Sequence, residues 1–109
     1  MTWLRKSAGQ GYLPAINGLA WVLATDTNND LRNGVEATKW AERLCMEDGG
    51  RSAAYLDTLA AAYAEVGRWD DAVATQKKAI DALTAADASI KESVESRLQK
   101  YLRQEKVRE

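Results

Sequence analysis

Residues 59–79 constrain the fold of this chain more than any other stretch, because small and large side chains recur there at helical spacing. The small residues are Ala60, Ala72 and Ala79. Alanine lets two helix backbones approach closely, and Tyr63 is large enough to fill the wider gap between them. Gly67 stands between the two patterns, and glycine readily takes the left-handed conformation that ends a helix. The spacing predicts two tightly packed antiparallel helices joined by a short turn.

Composition favours helices in the rest of the chain as well. Hydrophobic residues make up 46% of the 109 positions, alanine is abundant, and Pro14 is the single proline. Alanine is the best helix former, whereas strands favour β-branched and aromatic residues. Because a chain of this length forms at most one domain, we expect a single all-α domain.

Glycine and polar clusters divide the sequence into about six helical segments. The first covers residues 3–8, the second has Pro14 in its first turn, and the third runs over residues 32–47. The fourth and fifth are the pair described above, and a capping-box pattern from Ser89 to Glu92 predicts the start of the sixth. The apolar faces predicted for the second, third and sixth helices are Ile16, Leu19, Ala20 and Leu23; Val35, Ala37, Ala41, Leu44 and Cys45; and Ile90, Val94, Leu98, Tyr101 and Leu102.

The two halves of the chain repeat one pattern. Leu19-Ala20 and Leu23 precede Ala37 in the same way as Leu59-Ala60 and Tyr63 precede Ala72. Leu19 and Leu59 are 40 positions apart, whereas Ala37 and Ala72 are 35 apart. The first copy therefore carries five extra residues between its helices, in the polar stretch 26–33.

The second copy, residues 53–86, resembles the tetratricopeptide repeat (TPR), a helix–turn–helix unit of about 34 residues. The matching residues are Leu59, Tyr63, Gly67, Ala72 and Ala79. The copy departs from the TPR pattern at Leu56, Ala60, Gln76 and Thr84, where the pattern has tryptophan, glycine, a large aromatic and proline. The resemblance implies a right-handed α-solenoid of antiparallel helix pairs.

The N-terminal part resembles a related unit, the Sel1-like repeat. Residues 3–12, followed by Ala15 and Leu19-Ala20, look like the second helix of one such repeat running into the next. Gly9 departs from the family pattern, which usually has an acidic residue there. Together the resemblances predict one TPR-like domain over 1–109: an orphan helix (1–12), a first repeat with an extended turn (13–48), a second repeat (53–86) and a capping helix (88–109).

The sixth helix is expected to act as a solubilising cap. Its apolar side would cover the end of the helix pair within 53–86, and its charged side would leave Lys91, Arg97 and Lys100 in water. Residues 104–109 follow this helix with mostly polar side chains, and we expect them to fray.

Charge and residue types argue against several function classes. Fifteen basic and sixteen acidic residues give a net charge of −1, so a nucleic-acid partner is not expected. We expect no membrane span, since no stretch is apolar over the required length. A single cysteine, Cys45, excludes an internal disulfide and fits the cytoplasm, although a removed signal peptide would leave the periplasm open.

No catalytic chemistry or cofactor is predicted. The chain has no histidine, so Cys45 lacks the base that activates a nucleophile. Asp26, Asn28 and Asp30 alternate as in a calcium loop, but the glycine and closing glutamate of an EF-hand are missing at the required positions. We therefore expect no metal site, no cofactor and no enzyme activity.

The TPR resemblance implies a partner site on the concave side of the solenoid. The residues that it places there, termed the inner face, are Asn17, Trp21, Asp57, Ala61 and Glu65. TPR domains that hold chaperone carboxylates present lysine, arginine and asparagine on this side, so Asp57 and Glu65 argue against such a ligand. A neutral or basic peptide suits the inner face better. For Trp21 the favoured alternative is packing beneath the insertion or the first helix.

The sequence thus favours a protein-interaction module or scaffold that binds a protein or peptide of unknown identity. The alternative is a structural module that self-associates as a homodimer, because Trp3 and Leu4 lie on an orphan helix without a polar cap. The chain would then either begin with that helix or form the C-terminal part of a longer repeat protein.

Overall fold

The structure is a computed structural model that describes residues 2–109; Met1, which the predicted domain includes, lies outside the described residues. Residues 2–109 form six α-helices and one 3₁₀ turn, and no strand occurs in this range. The elements are α1 (Thr2–Gly9), α2 (Leu13–Thr25), α3 (Gly34–Asp48), α4 (Ala53–Glu65), α5 (Trp69–Asp81), the 3₁₀ turn (Ala85–Asp87) and α6 (Lys91–Leu102). The expected all-α class is confirmed, with α5 and α6 as separate helices.

The helix ends follow from capping residues. Ser52 precedes α4 and its side chain accepts a hydrogen bond from the Tyr55 backbone N–H, as is usual for serine at an N-cap. Asn33 caps α3 in the same way, accepting from the backbone of Glu36. Gly67, at φ +80°, lies in the turn between α4 and α5, in the left-handed region that glycine adopts without strain. These caps keep the connections between neighbouring helices short.

Helices that are adjacent in sequence pack against one another, and α2 also packs against α4. The core between α2, α3 and α4 is built from apolar residues at three- and four-residue spacing, as predicted. Its buried members include Ile16, Leu19, Leu23, Ala37, Ala41 and Leu44. A second cluster joins Ala60, Ala64 and Ala72 of α4 and α5 to Tyr101 of α6 and to Val107 beyond it.

The predicted close contact between α4 and α5 is confirmed. Ala60, Ala72 and Ala79 each have no exposed surface. We expect Ala72→Leu to lower the free energy of unfolding by about 1–3 kcal/mol, because the extra methyl groups would overpack this contact. Ala74→Leu is the matched control, since Ala74 lies on the exposed side of the same helix. Equal melting temperatures of the two variants would contradict the assignment of the packed face.

Three details of the predicted helices are wrong. Leu102, predicted for the apolar face of α6, is 55% exposed, because it lies one position beyond the buried Tyr101 and so about 100° away around the helix. Val35 belongs to the predicted apolar face of α3 but is 62% exposed, because it lies two positions before the buried Ala37, about 200° around the helix and so on the opposite side. The capping box is formed by Thr84 and Asp87 around the 3₁₀ turn. The predicted box at Ser89 is not formed, because α6 begins two residues later with Ile90 as its N-cap.

The extended turn between α2 and α3 is ordered by its own side chains. The Asp26 carboxylate accepts from the Asn28 backbone N–H at 2.7 Å, and the Asn28 side chain accepts from the Asp30 N–H at 2.9 Å. Arg32 then donates to the Asp26 carbonyl oxygen and pairs with Glu65 at the end of α4. The acidic alternation in this turn thus serves local backbone hydrogen bonds.

Candidate functional site

The five residues of the inner face lie on two packed helices. Asn17 and Trp21 belong to α2, and Asp57, Ala61 and Glu65 belong to α4. The two helices are tied by a hydrogen bond of 2.6 Å from the Thr58 hydroxyl to the Asn17 side-chain oxygen. The structure therefore brings the predicted residues together, and their role in partner binding stays a prediction.

Asp57 is the most connected polar residue of the inner face. Its side chain is buried and accepts a bidentate pair of hydrogen bonds from Arg97 of α6, with 2.8 Å from Nη2 to Oδ2. Gln76 of α5 donates to Asp57 Oδ1 at 2.8 Å and, from the same nitrogen, to the Val94 carbonyl oxygen at 2.8 Å. One carboxylate thus links α4, α5 and α6, and a bidentate arginine fixes their relative positions.

The expectation that Arg97 lies in water is therefore wrong. Its side chain is only 15% exposed, because Val94, Arg97 and Tyr101 share one face of α6 at spacings of three and four residues. That spacing, together with an acidic residue on the apolar face of α4, was the available signal for an ion pair. Gln76, which stands where the TPR pattern has a large aromatic, is fully buried as the connecting donor.

Trp21 is partly buried and contacts both core clusters. The guanidinium carbon of Arg97 lies 5.0 Å from the centroid of its ring, within the range of a cation–π contact. Packing of Trp21 within the chain was the favoured alternative to a partner anchor. Arg97 of α6 covers its ring, and Trp21 also packs against the cluster that contains Tyr101 and Val107.

Glu65 closes the other end of the inner face. Its side chain is 13% exposed and pairs with two arginines, Arg32 of the extended turn at 3.2 Å and Arg108 at 2.7 Å. Asp57 and Glu65 lie eight residues apart on α4, so that two carboxylates point to the same side of the helix. Each of them is paired with an arginine from the part of the chain after residue 90.

Residues 103–109, termed the return segment, run back over the inner face. The predicted fraying of residues 104–109 is wrong, because Val107 is 5% exposed and packs in the cluster of Ala60, Ala64 and Tyr101. The backbone N–H of Glu109 donates to the Thr25 carbonyl oxygen at the end of α2, at 2.9 Å. An apolar side chain within a polar stretch was the one signal for this contact in the sequence.

The two residues predicted for self-association lie in different environments. Trp3 is 69% exposed on α1, whereas Leu4 packs against the core and lies close to Gly18 of α2. Leu4 therefore already has a partner within its own chain, and Trp3 is the residue of the pair that remains open to solvent.

Cys45 is partly buried and its thiol donates to the Tyr55 carbonyl oxygen at 3.4 Å. Burial raises the pKa of this thiol to about 11, and the nearby Asp48 carboxylate adds to the effect. Because only the thiolate reacts, we expect iodoacetamide at pH 8 to label the folded chain roughly a hundredfold more slowly than the unfolded chain. The folded rate should increase toward pH 11. Mass spectrometry measures both labelling rates. Equal labelling rates of the folded and unfolded chains at pH 8 would contradict the burial of this side chain.

Residues 2–109 lack two further features. No group of three or more histidine, cysteine or carboxylate side chains is arranged to hold a metal ion in this part of the chain. Among the same residues, no helix has both the length and the apolar surface needed to cross a membrane.

Comparisons with known proteins identify no relative of this chain. No family model matches the chain, and no curated protein or solved structure matches it either.

Proposed function

We propose that the chain is a protein-interaction module, a right-handed TPR-like α-solenoid whose inner face holds a neutral or basic peptide segment of a partner protein. In this proposal the chain binds and does not catalyse, and it works in the cytoplasm, where a lone cysteine stays reduced. The observation that carries the proposal is the return segment, which lies on the inner face as a bound peptide would.

The packing of the helices supports the repeat architecture. Each helix contacts its neighbour in sequence, and α2 also contacts α4, the corresponding helix of the second repeat unit. In an α-solenoid, stacking of equivalent helices produces an extended concave surface, and such surfaces commonly bind partners. The sequence repeat of 19–44 and 59–79 coincides with these helices.

The charges on α4 support a basic ligand. Asp57 and Glu65 face one side of the helix, and arginines from elsewhere in the chain satisfy both. A carboxylate ligand would have to displace those arginines and would meet two like charges. A lysine or arginine of a partner segment would instead take the place of Arg108 beside Glu65 and supply a similar positive group.

Selection from a random-peptide phage library against the immobilised full chain tests this function. We expect enriched peptides rich in basic residues. When both chains also carry Val107→Asp, so that the chain's own Arg108 does not compete for Glu65, we expect Glu65→Gln to bind these peptides at least about tenfold more weakly, because one charge-assisted contact is lost. Glu47→Gln is the matched control, because Glu47 is an exposed carboxylate of α3 that pairs with Arg43 within α3 itself. Peptides that bind both variants alike, or the absence of enriched peptides, would contradict an inner-face function.

The exposure of Trp3 favours self-association as a second candidate. An exposed tryptophan such as Trp3 of α1 is a suitable anchor for a symmetric contact between two copies. We expect light scattering at micromolar concentration to give a dimer mass that returns to the monomer mass in Trp3→Asp. A monomer mass for the unaltered chain would leave the interaction module as the single proposal.

A further inference from the structure

The chain reverses its direction sharply where the return segment begins. After α6 ends, the backbone N–H of Glu105 donates to the Lys100 carbonyl oxygen, and that of Gln104 donates to the Tyr101 carbonyl oxygen. These two bonds form a Schellman motif, in which glycine usually occupies the left-handed position. Gln104 takes that position here with φ +56°. The turn directs residues 105–109 away from the axis of α6 and across the inner face.

Four contacts hold the return segment there. Val107 fills an apolar seat beside Ala64 and Tyr101, and Arg108 pairs with Glu65. The Glu109 backbone N–H bonds to α2, and the Glu109 carboxylate lies 3.7 Å from Nη1 of Arg97. The side chains between the turn and this seat are exposed. The contact is therefore local, and its loss would leave the helical core of α2, α4 and α6 in place.

We propose that the return segment is the resting occupant of the inner face, and that a partner peptide with an apolar residue followed by arginine displaces it. This inference rests on the proposed function, which it deepens by naming the class of ligand and its regulation. The seat accepts one apolar side chain, the adjacent carboxylate of Glu65 accepts one guanidinium, and the Thr25 carbonyl oxygen accepts a backbone N–H. An extended peptide of that chemistry can make all three contacts.

Competition with the return segment should lower the affinity for a partner peptide by a measurable factor. Burial of one valine corresponds to roughly a tenfold to hundredfold equilibrium preference for the docked segment. A partner peptide binds only the undocked fraction of the chain, so its apparent affinity is reduced by the same factor. Release of the segment should restore that affinity.

The test uses the full chain and a fluorescein-labelled peptide with the sequence of residues 102–109. We expect Val107→Asp to bind this peptide at least about tenfold more tightly than the unaltered chain, because its own segment has lost the apolar seat. Lys106→Asp is the matched control, since Lys106 is exposed. The Lys106→Asp chain should bind the labelled peptide with the same affinity as the unaltered chain. A peptide with glutamate at the position of Arg108 should bind at least about tenfold more weakly to every variant.

A second variant guards against an indirect effect of the first. Arg108→Glu places a like charge beside Glu65 and should also release the segment, with a similar gain in peptide affinity. Circular dichroism checks that both variants keep their helices.

Equal affinities for the unaltered chain, Val107→Asp and Arg108→Glu would overturn the role of the return segment as a competitor. Absence of peptide binding to all three would overturn the apolar–arginine ligand. Phage-selected peptides that bind through Glu65 would, in either case, still support the proposed function.

Discussion

Replacement of Asp57 by alanine should lower the free energy of unfolding by about 3–5 kcal/mol, the usual loss when one partner of a buried ion pair is removed. The substitution leaves the Arg97 guanidinium, only 15% exposed, without its bidentate acceptor. It also removes one of the two acceptors of the buried Gln76 amide. Because these groups belong to α5 and α6, the loss should weaken the contacts of both helices with α4. Chemical denaturation measures the change.

Asp71→Ala is the control for this prediction. Asp71 pairs with Arg68 at 2.8 Å, but both side chains are about half exposed, so water screens the pair. Its removal should change the free energy of unfolding by about 0–1 kcal/mol. A double variant, Asp57→Ala with Arg97→Met, should recover part of the loss, since the uncompensated charge is then absent. Equal effects of Asp57→Ala and Asp71→Ala would contradict the buried network.

Tyr101→Ala should lower the free energy of unfolding by about 3–5 kcal/mol, because it removes a large, fully buried ring from the contact of α6 with α4 and α5. The same ring supports Val107, so this variant should also release the return segment. The variant chain is expected to melt at a lower temperature and to show faster proteolysis after residue 102.

The hydroxyl group of Tyr101 is expected to lower the free energy of unfolding, whereas its ring raises it. It is buried without a hydrogen-bond partner among the described residues, and burial raises the pKa of this phenol above its usual value. We expect Tyr101→Phe to keep the free energy of unfolding or to raise it by about 1–3 kcal/mol, because an unsatisfied polar group is removed. If Tyr101→Phe lowered the free energy of unfolding as much as Tyr101→Ala, the hydroxyl could not be an unsatisfied polar group.

Local rules predicted most of the helical structure. The cap at Ser52 and the turn at Gly67 follow from short-range chemistry, and the alanine positions of α4 and α5 follow from helical spacing. Errors arose where an apolar residue lay off the buried side of its helix, as with Val35, and at helix ends, as with the capping box predicted at Ser89. Hydrophobicity alone does not tell which of several apolar residues will face a neighbouring helix.

The site was predictable only in part for the same reason. The acidic residues of the inner face could be identified from helical spacing in α4, but their partners lie 40 and more positions away, in Arg97 and Arg108. Nothing in the local sequence indicates which arginine will reach which carboxylate. Val107 has no periodic neighbours in a polar stretch, so only the three-dimensional arrangement reveals that it is buried.

The four tryptophan indole N–H signals offer the most direct measurement of where a peptide binds. Trp21 lies on the inner face, whereas Trp3 and Trp40 belong to α1 and α3. In a ¹⁵N-labelled Val107→Asp chain, titration with the peptide of residues 102–109 should shift the indole signal of Trp21. The signals of Trp3 and Trp40 should stay unchanged. Shifts at Trp3 or Trp40 with an unchanged Trp21 signal would contradict the inner face as the peptide-binding surface.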